Sequence, residues 1–107
     1  MAYTETEKEA LLSMLEMNLG LIFDYMDAEA KGQKEMQLGY YIDAAIEFIE
    51  REGISLNYES QGDLMLITMY SAFLYEKRND GVSVMPRALR YNLNNRVLQE
   101  KVNSYEG

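Results

Sequence analysis

Carboxylates, tyrosines and a late group of arginines are the side chains with which this chain could do chemistry, because its 107 residues include no histidine and no cysteine. That absence excludes thiolate nucleophiles, zinc sites of the usual Cys/His kind, Ser-His-Asp triads and histidine general bases. The best-spaced carboxylates lie in DAEAKGQKEMQL, residues 27–38. Laid on a calcium-binding helix–loop–helix loop, Asp27 and Glu29 take the first and third ligand positions and Gly32 the sixth. Lys31 then falls on the fifth position and Leu38 on the twelfth, where a bidentate glutamate is required, so calcium binding is not expected.

Asp24/Asp27 and Glu76/Asp80 have the spacing of an acid–base couple. Such a couple works only when desolvation parts the two pKa values. These pairs sit among polar neighbours at helix ends and read as solvated acids. No GxxxxGK[ST], GxGxxG or GxSxG string occurs, so nucleotide cradles and nucleophile elbows have no support. The chain reads as a non-enzyme without cofactor or metal. Its eight methionines could form a plastic binding groove, but those of the third helical segment, Met65 and Met69, read more simply as core gap-fillers. Tyr70, Tyr75 and Tyr91, interleaved with Arg78, Arg87 and Arg90, could stack on nucleic acid, although tyrosine is equally an interface residue.

Charge is the sharper signal. The net charge is −8, yet residues 1–76 carry 15 acidic and 4 basic residues while residues 77–107 carry 6 basic and 3 acidic. Lys77 and Arg78 suit the negative C-terminus of a helix. Arg87 does not fit so simply, because it follows the only proline, Pro86, in the first turn of a helix, where the macrodipole favours acids. Arg90 continues the patch. A cation so placed points to an anionic partner: a carboxylate of the acidic helices, a neighbouring subunit or a phosphate. The acidic excess disfavours a sequence-specific DNA-binding module, which is normally basic. A small protein adaptor is the other alternative.

Four helices position these residues, and the expected fold is all-α, a single domain over 1–107 with loose termini. Thr4 and Glu7 have capping-box form and open a helix to about Asn18, with Leu11, Leu12, Leu15, Leu19 and Ile22 at helical spacing. Residues 24–34 are ambiguous between helix and loop because Gly32 interrupts good helix formers. From Glu35, the stripe Leu38, Ile42, Ala45 and Ile49 predicts a second helix ending at Gly53. Ile54, Leu56 and Tyr58 alternate in a connecting loop that could lie extended on the core. LMLITMYSAFLY, residues 64–75, is apolar nearly all round and predicts a buried third helix over 61–79. A fourth helix starts at Pro86, carries Leu89, Leu93 and Val97 inward, and frays by about Asn103. No apolar run approaches the ~18 residues of a membrane span, and the acidic start MAYTETEKEA has no signal-peptide form.

This order of motifs resembles the small helical head–tail connector proteins of tailed bacteriophages and prophages, also called head-completion or DNA-packaging adaptor proteins. LLSMLEMNLGL in the first helix, YYIDAAIEFIEREGI in the second, the Tyr75-Glu76-Lys77-Arg78 ending of the third, and Met85-Pro86 before RALRYNLNNRVLQEK carry the resemblance over roughly residues 5 to 102. Residues 24–34 are longer than the usual family turn, and the C-terminus is short. The resemblance implies a structural virion protein at the head–tail junction, present in the host cytoplasm during assembly. It further implies a dodecameric ring between the portal protein and a tail-completion protein, with DNA passing through the lumen without specific binding and with no membrane involved. An acidic lumen would repel phosphates and let DNA slide. The residues expected at the subunit or portal interface are Arg78, Arg87, Arg90, Tyr91 and Asn94.

Overall fold

The computed structural model describes residues 4–20, 27–81 and 83–106. Four helices follow one another: α1 (Glu5–Leu19), α2 (Ala28–Arg51), α3 (Gln61–Asn79) and α4 (Arg87–Glu106). Among the described residues there is no strand, so the all-α expectation holds. No helix among them is long and apolar enough to cross a membrane.

Each start has a local cause. At α1 the Thr4 hydroxyl accepts from the Glu7 amide at 3.1 Å and Glu7 accepts from the Thr4 amide at 2.8 Å, the reciprocal pattern expected from the sequence. Gly20 ends it at φ +68°, a left-handed conformation open to glycine. Helix α2 begins seven residues earlier than Glu35. Asp27 caps it, its Oδ1 accepting from the Ala30 amide at 2.8 Å, and Ala28 to Lys34 are helical. The ambiguity over 27–34 therefore resolves as helix: a side-chain cap and two alanines outweigh the ~1 kcal/mol cost of exposed Gly32. The same fact removes any calcium-loop geometry there. Asp24, Met26 and Ile22 lie outside the described residues.

Helix α3 has the expected bounds and is the axis of the fold. Leu64, Leu66, Ile67, Tyr70, Ala72 and Phe73 are buried all around it, against α1 and α2 on one side and α4 on another. Its buried hydroxyls are satisfied within the helix, Thr68 donating to the Leu64 carbonyl and Ser71 to that of Ile67. Leu11 and Leu15 from α1, and Leu38, Ile42, Ala45 and Ile49 from α2, complete the core. Gly39 is buried where the stem of Lys8 crosses α2, its absent Cβ lying 3.5 Å from the Lys8 Cε.

Aromatic rings tie α2 to α3. Phe48 stacks on Tyr70 at 5.9 Å, and Tyr41 meets Tyr75 edge-on at 5.8 Å. Two of the three tyrosines considered for base stacking are thus packing residues. Met69 packs on the core as expected, whereas Met65 is 49% exposed and is not a gap-filler. Between α2 and α3, Ile54 and Tyr58 are buried and Leu56 half-buried, while Ser55, Asn57 and Glu59 face solvent. The alternation is real although no strand forms.

Ile67→Ala is expected to cost about 3 kcal/mol, the usual cavity penalty for a fully buried aliphatic side chain, whereas exposed Leu98→Ala should stay within ~0.5 kcal/mol; urea unfolding of both checks the assigned core. Burial, followed by the carboxylates of Glu50 for Tyr58 and Glu52 for Tyr70, raises both phenols above their ordinary value. In the unfolded chain they ionise first, near pH ~10. The stability they contribute is therefore full below that pH and lost as pH rises through the folded values. The urea midpoint should fall steeply above pH ~10 and less so in Tyr58→Phe and Tyr70→Phe.

Candidate interface on the last helix

Helix α4 has two unlike faces. At about 100° per residue, Leu89, Leu93, Arg96 and Glu100 share one side. Leu89 and Leu93 are fully buried, and Arg96 and Glu100 half-buried. The opposite side carries Tyr91, Leu98 and Val102, which are 66%, 59% and 53% exposed. Beyond Glu100 nothing described is buried: Lys101, Val102 and Asn103 all face solvent. The helix nevertheless continues to Glu106, past the expected fraying at Asn103.

The inner side adds a charge network to the apolar contacts of Leu89, Leu93 and half-buried Val97. Arg96 Nε donates to Asp63 Oδ1 at 2.8 Å, and its Nη2 donates both to Asp63 Oδ2 at 3.2 Å and to the Ser55 carbonyl at 2.8 Å. Asp63, 4% exposed, also accepts the Asn57 amide at 2.8 Å. Glu100 lies 3.0 Å from Arg96 Nη1 and accepts the Ser55 amide at 3.0 Å. One guanidinium and two carboxylates thus satisfy the backbone of the α2–α3 connection and clamp α4 to it. The hydrogen bonds that Arg96 donates to Asp63 are the main cause that raises the Arg96 pKa, so the pair stays ionic.

Sequence reasoning missed this network because a lone acid in a helix first turn and an i,i+4 Arg–Glu pair both read as surface features. The available signal was position. Arg96 and Glu100 continue the Leu89–Leu93 stripe at i+3 and i+4, so these charges had to fall on the packed side.

Of the five expected interface residues, the structure brings two together on the outer side of α4. Arg87 and Tyr91 are exposed one turn apart, and Arg87 has no ion-pair partner among the described residues. Arg90 finds its anion inside the chain: its two terminal nitrogens each lie 3.3 Å from an oxygen of Glu52, in the α2 cap. Asn94 accepts from Arg90 at 3.3 Å and supports that contact. Arg78 is exposed in the last turn of α3, away from this helix in sequence. The anionic partner demanded by the basic patch is therefore intramolecular for Arg90.

Asp80 caps α3 and is exposed beside Glu76, and no group of three or more acids among the described residues could hold a metal ion. An open groove of about 330 Å³ runs beside the clamp, lined by Ser60, Met65, Asn92, Asn95 and Gln99 together with Asp63 and Arg96. Its polar groups are side-chain amides, the Ser60 hydroxyl and the Asp63–Arg96 ion pair. No protein-family model, curated protein or solved structure matches the chain.

Asp63→Ala should cost about 3 kcal/mol because it leaves a largely desolvated guanidinium with half its compensation, and adding Arg96→Met should recover part of that loss. Arg90→Glu, which sets a second carboxylate against Glu52, should destabilise by about 1 kcal/mol, whereas Arg87→Glu, which places an acid in the first turn of α4, should leave the urea midpoint unchanged or raise it slightly. Equal effects of the two arginine changes would contradict the assignment of inner and outer sides.

Proposed function

We propose that this chain is a structural head–tail connector subunit of a tailed phage or prophage, assembling as a ring beneath the portal, and not an enzyme. The observation that carries this reading is the division of the surface: an acidic α1–α2 half, and a last helix whose outer side presents Arg87, Tyr91, Leu98 and Val102 with no partner among the described residues. Exposed apolar residues aligned on one side of a helix, flanked by an unpaired cation, are what a protein partner would cover.

The four-helix order and the motifs shared with connector proteins support the same conclusion. A head-to-tail contact between unlike faces closes into a ring when its rotation permits. Within such a ring the acidic excess keeps DNA moving, because like-charged walls do not retain phosphates. Tyr70 and Tyr75, being engaged in the α2–α3 packing, leave little for base stacking.

Mixed with the portal ring of the phage or prophage that encodes it, the chain should add a second ring with a central channel, visible by electron microscopy. Duplex DNA alone should show no binding by fluorescence anisotropy at about 0.15 M salt. A portal that stays bare would overturn the connector reading. Tight duplex binding with a steep salt slope would replace it with a nucleic-acid-binding module.

A further inference from the structure

The outer side of α4 matches a second surface on the same molecule, the outer side of α2. There, Met36 and Tyr40 are 63% and 67% exposed, and Glu47 and Glu50 follow on the same face. At 100° per residue the four lie within about 80° of one another. On α4, Arg87, Tyr91, Leu98 and Val102 fall within about 60°. Exposed Asp43 lies between Tyr40 and Glu47 on the α2 face, and Arg51 pairs with Glu47 at its edge, so that face runs from an apolar start to a predominantly acidic end, while the α4 face runs from a basic start to an apolar end.

Their spacings agree as well. With α4 antiparallel to α2, Arg87 opposite Glu50 sets Tyr91 against the turn that holds Glu47. Leu98 then falls against Tyr40, and Val102 against Met36. From Arg87 to Leu98 is about 16 Å of helix rise and from Glu50 to Tyr40 about 15 Å, while Leu98 to Val102 and Tyr40 to Met36 each span about 6 Å. A parallel arrangement would set the acids beside Val102 and Lys101 and leave Arg87 against the apolar start of the α2 face. Within one chain Arg90 of α4 pairs with Glu52, the capping residue of α2.

We infer that α4 of one copy packs antiparallel on α2 of the next, with Arg87 facing Glu50 and Leu98 and Val102 covering Tyr40 and Met36. The occupant of the α4 face is a second copy of this chain, chosen by charge complementarity and matched register. The contact is heterologous, so every copy keeps one open α2 face and one open α4 face, as continued assembly requires. This inference deepens the assembly reading and rests on it for the premise that copies of the chain meet.

The absence of native cysteines makes the pairing directly testable. A chain carrying both Tyr40→Cys and Leu98→Cys, oxidised at a few hundred micromolar with and without the portal ring, should give a ladder of disulfide-linked dimers and higher species. Either substitution alone should not. Both positions are exposed, and an unchanged circular dichroism spectrum establishes that the variants fold. In the cysteine-bearing chain, Arg87→Glu or Glu50→Arg alone should reduce cross-linking by roughly tenfold, the scale of a like-charge juxtaposition at an interface. Mixing the two charge variants, or combining them in one chain, should restore it.

No ladder under either condition overturns the pairing. Rings on the portal without the cross-link discard the pairing and retain the connector reading. A ladder with a bare portal retains the pairing and discards the connector. Cross-linking that survives both charge variants overturns the register.

Discussion

The Arg96–Asp63 ion pair is the contact on which the arrangement of the molecule turns. Helix α4 buries two leucines against α3, a small apolar area for a helix of 20 residues. The connection that precedes α3 runs without regular secondary structure, and its peptide groups need partners. Arg96 and Asp63 meet both needs together. Asp63 takes the Asn57 amide, Arg96 takes the Ser55 carbonyl, and Glu100 takes the Ser55 amide. Desolvating these charges offsets much of their attraction, so the pair adds little net stability over an apolar substitute. Its contribution is position: a planar guanidinium gripping a carboxylate through two nitrogens admits far fewer helix orientations than leucines alone.

That fixed orientation determines what α4 shows to solvent. With Leu89, Leu93, Arg96 and Glu100 turned inward, helical geometry leaves Arg87, Tyr91, Leu98 and Val102 outward. The Glu52–Arg90 pair, at the other end of the contact, adds a second anchor of modest strength because both groups are partly solvated. The surface proposed for assembly thus follows from a structural pair one helix face away. It also explains why the four expected interface residues on α4 separate into two pairs, Arg90 and Asn94 holding the helix and Arg87 and Tyr91 presented by it.

Periodicity made most of the fold legible. The stripes of α1, α2 and α3, the capping box at Thr4 and the all-round apolar character of 64–75 each have a single local cause, and each appears in the structure where that cause places it. Three features were not legible, for different reasons. The start of α2 turned on a competition between Gly32 and an Asp27 cap, which differ by less than the context dependence of either. The continuation of α4 past Asn103 rests on good helix formers from Leu98 to Lys101, outweighing the asparagines before them. The ion-pair network joins residues 33 positions apart, and no local pattern reports such a pairing. Arg90 is the instructive middle case. Its misfit with the helix dipole correctly called for an anion, but whether that anion lay in the same chain depended on the packing angle, which the sequence does not encode locally.

The proposed assembly of so acidic a chain would be decided by the balance of two electrostatic terms. Two copies of net charge −8 held ~30 Å apart repel by roughly 9 kcal/mol in unscreened water, by about 3 kcal/mol at 0.01 M salt, and by about 0.2 kcal/mol at physiological ionic strength. An exposed Arg87–Glu50 pair offers only ~0.2–1 kcal/mol and weakens with salt too. Over the low-salt range the repulsion changes by more than the pair can contribute, so added salt favours association even though the contact includes an ion pair. The favourable free energy must then come from the apolar residues of the two faces, which salt does not screen, with charge setting register and excluding the parallel arrangement. A surface that combines a long-range net repulsion with a short-range complementary stripe keeps isolated subunits apart while allowing a correctly oriented pair to close.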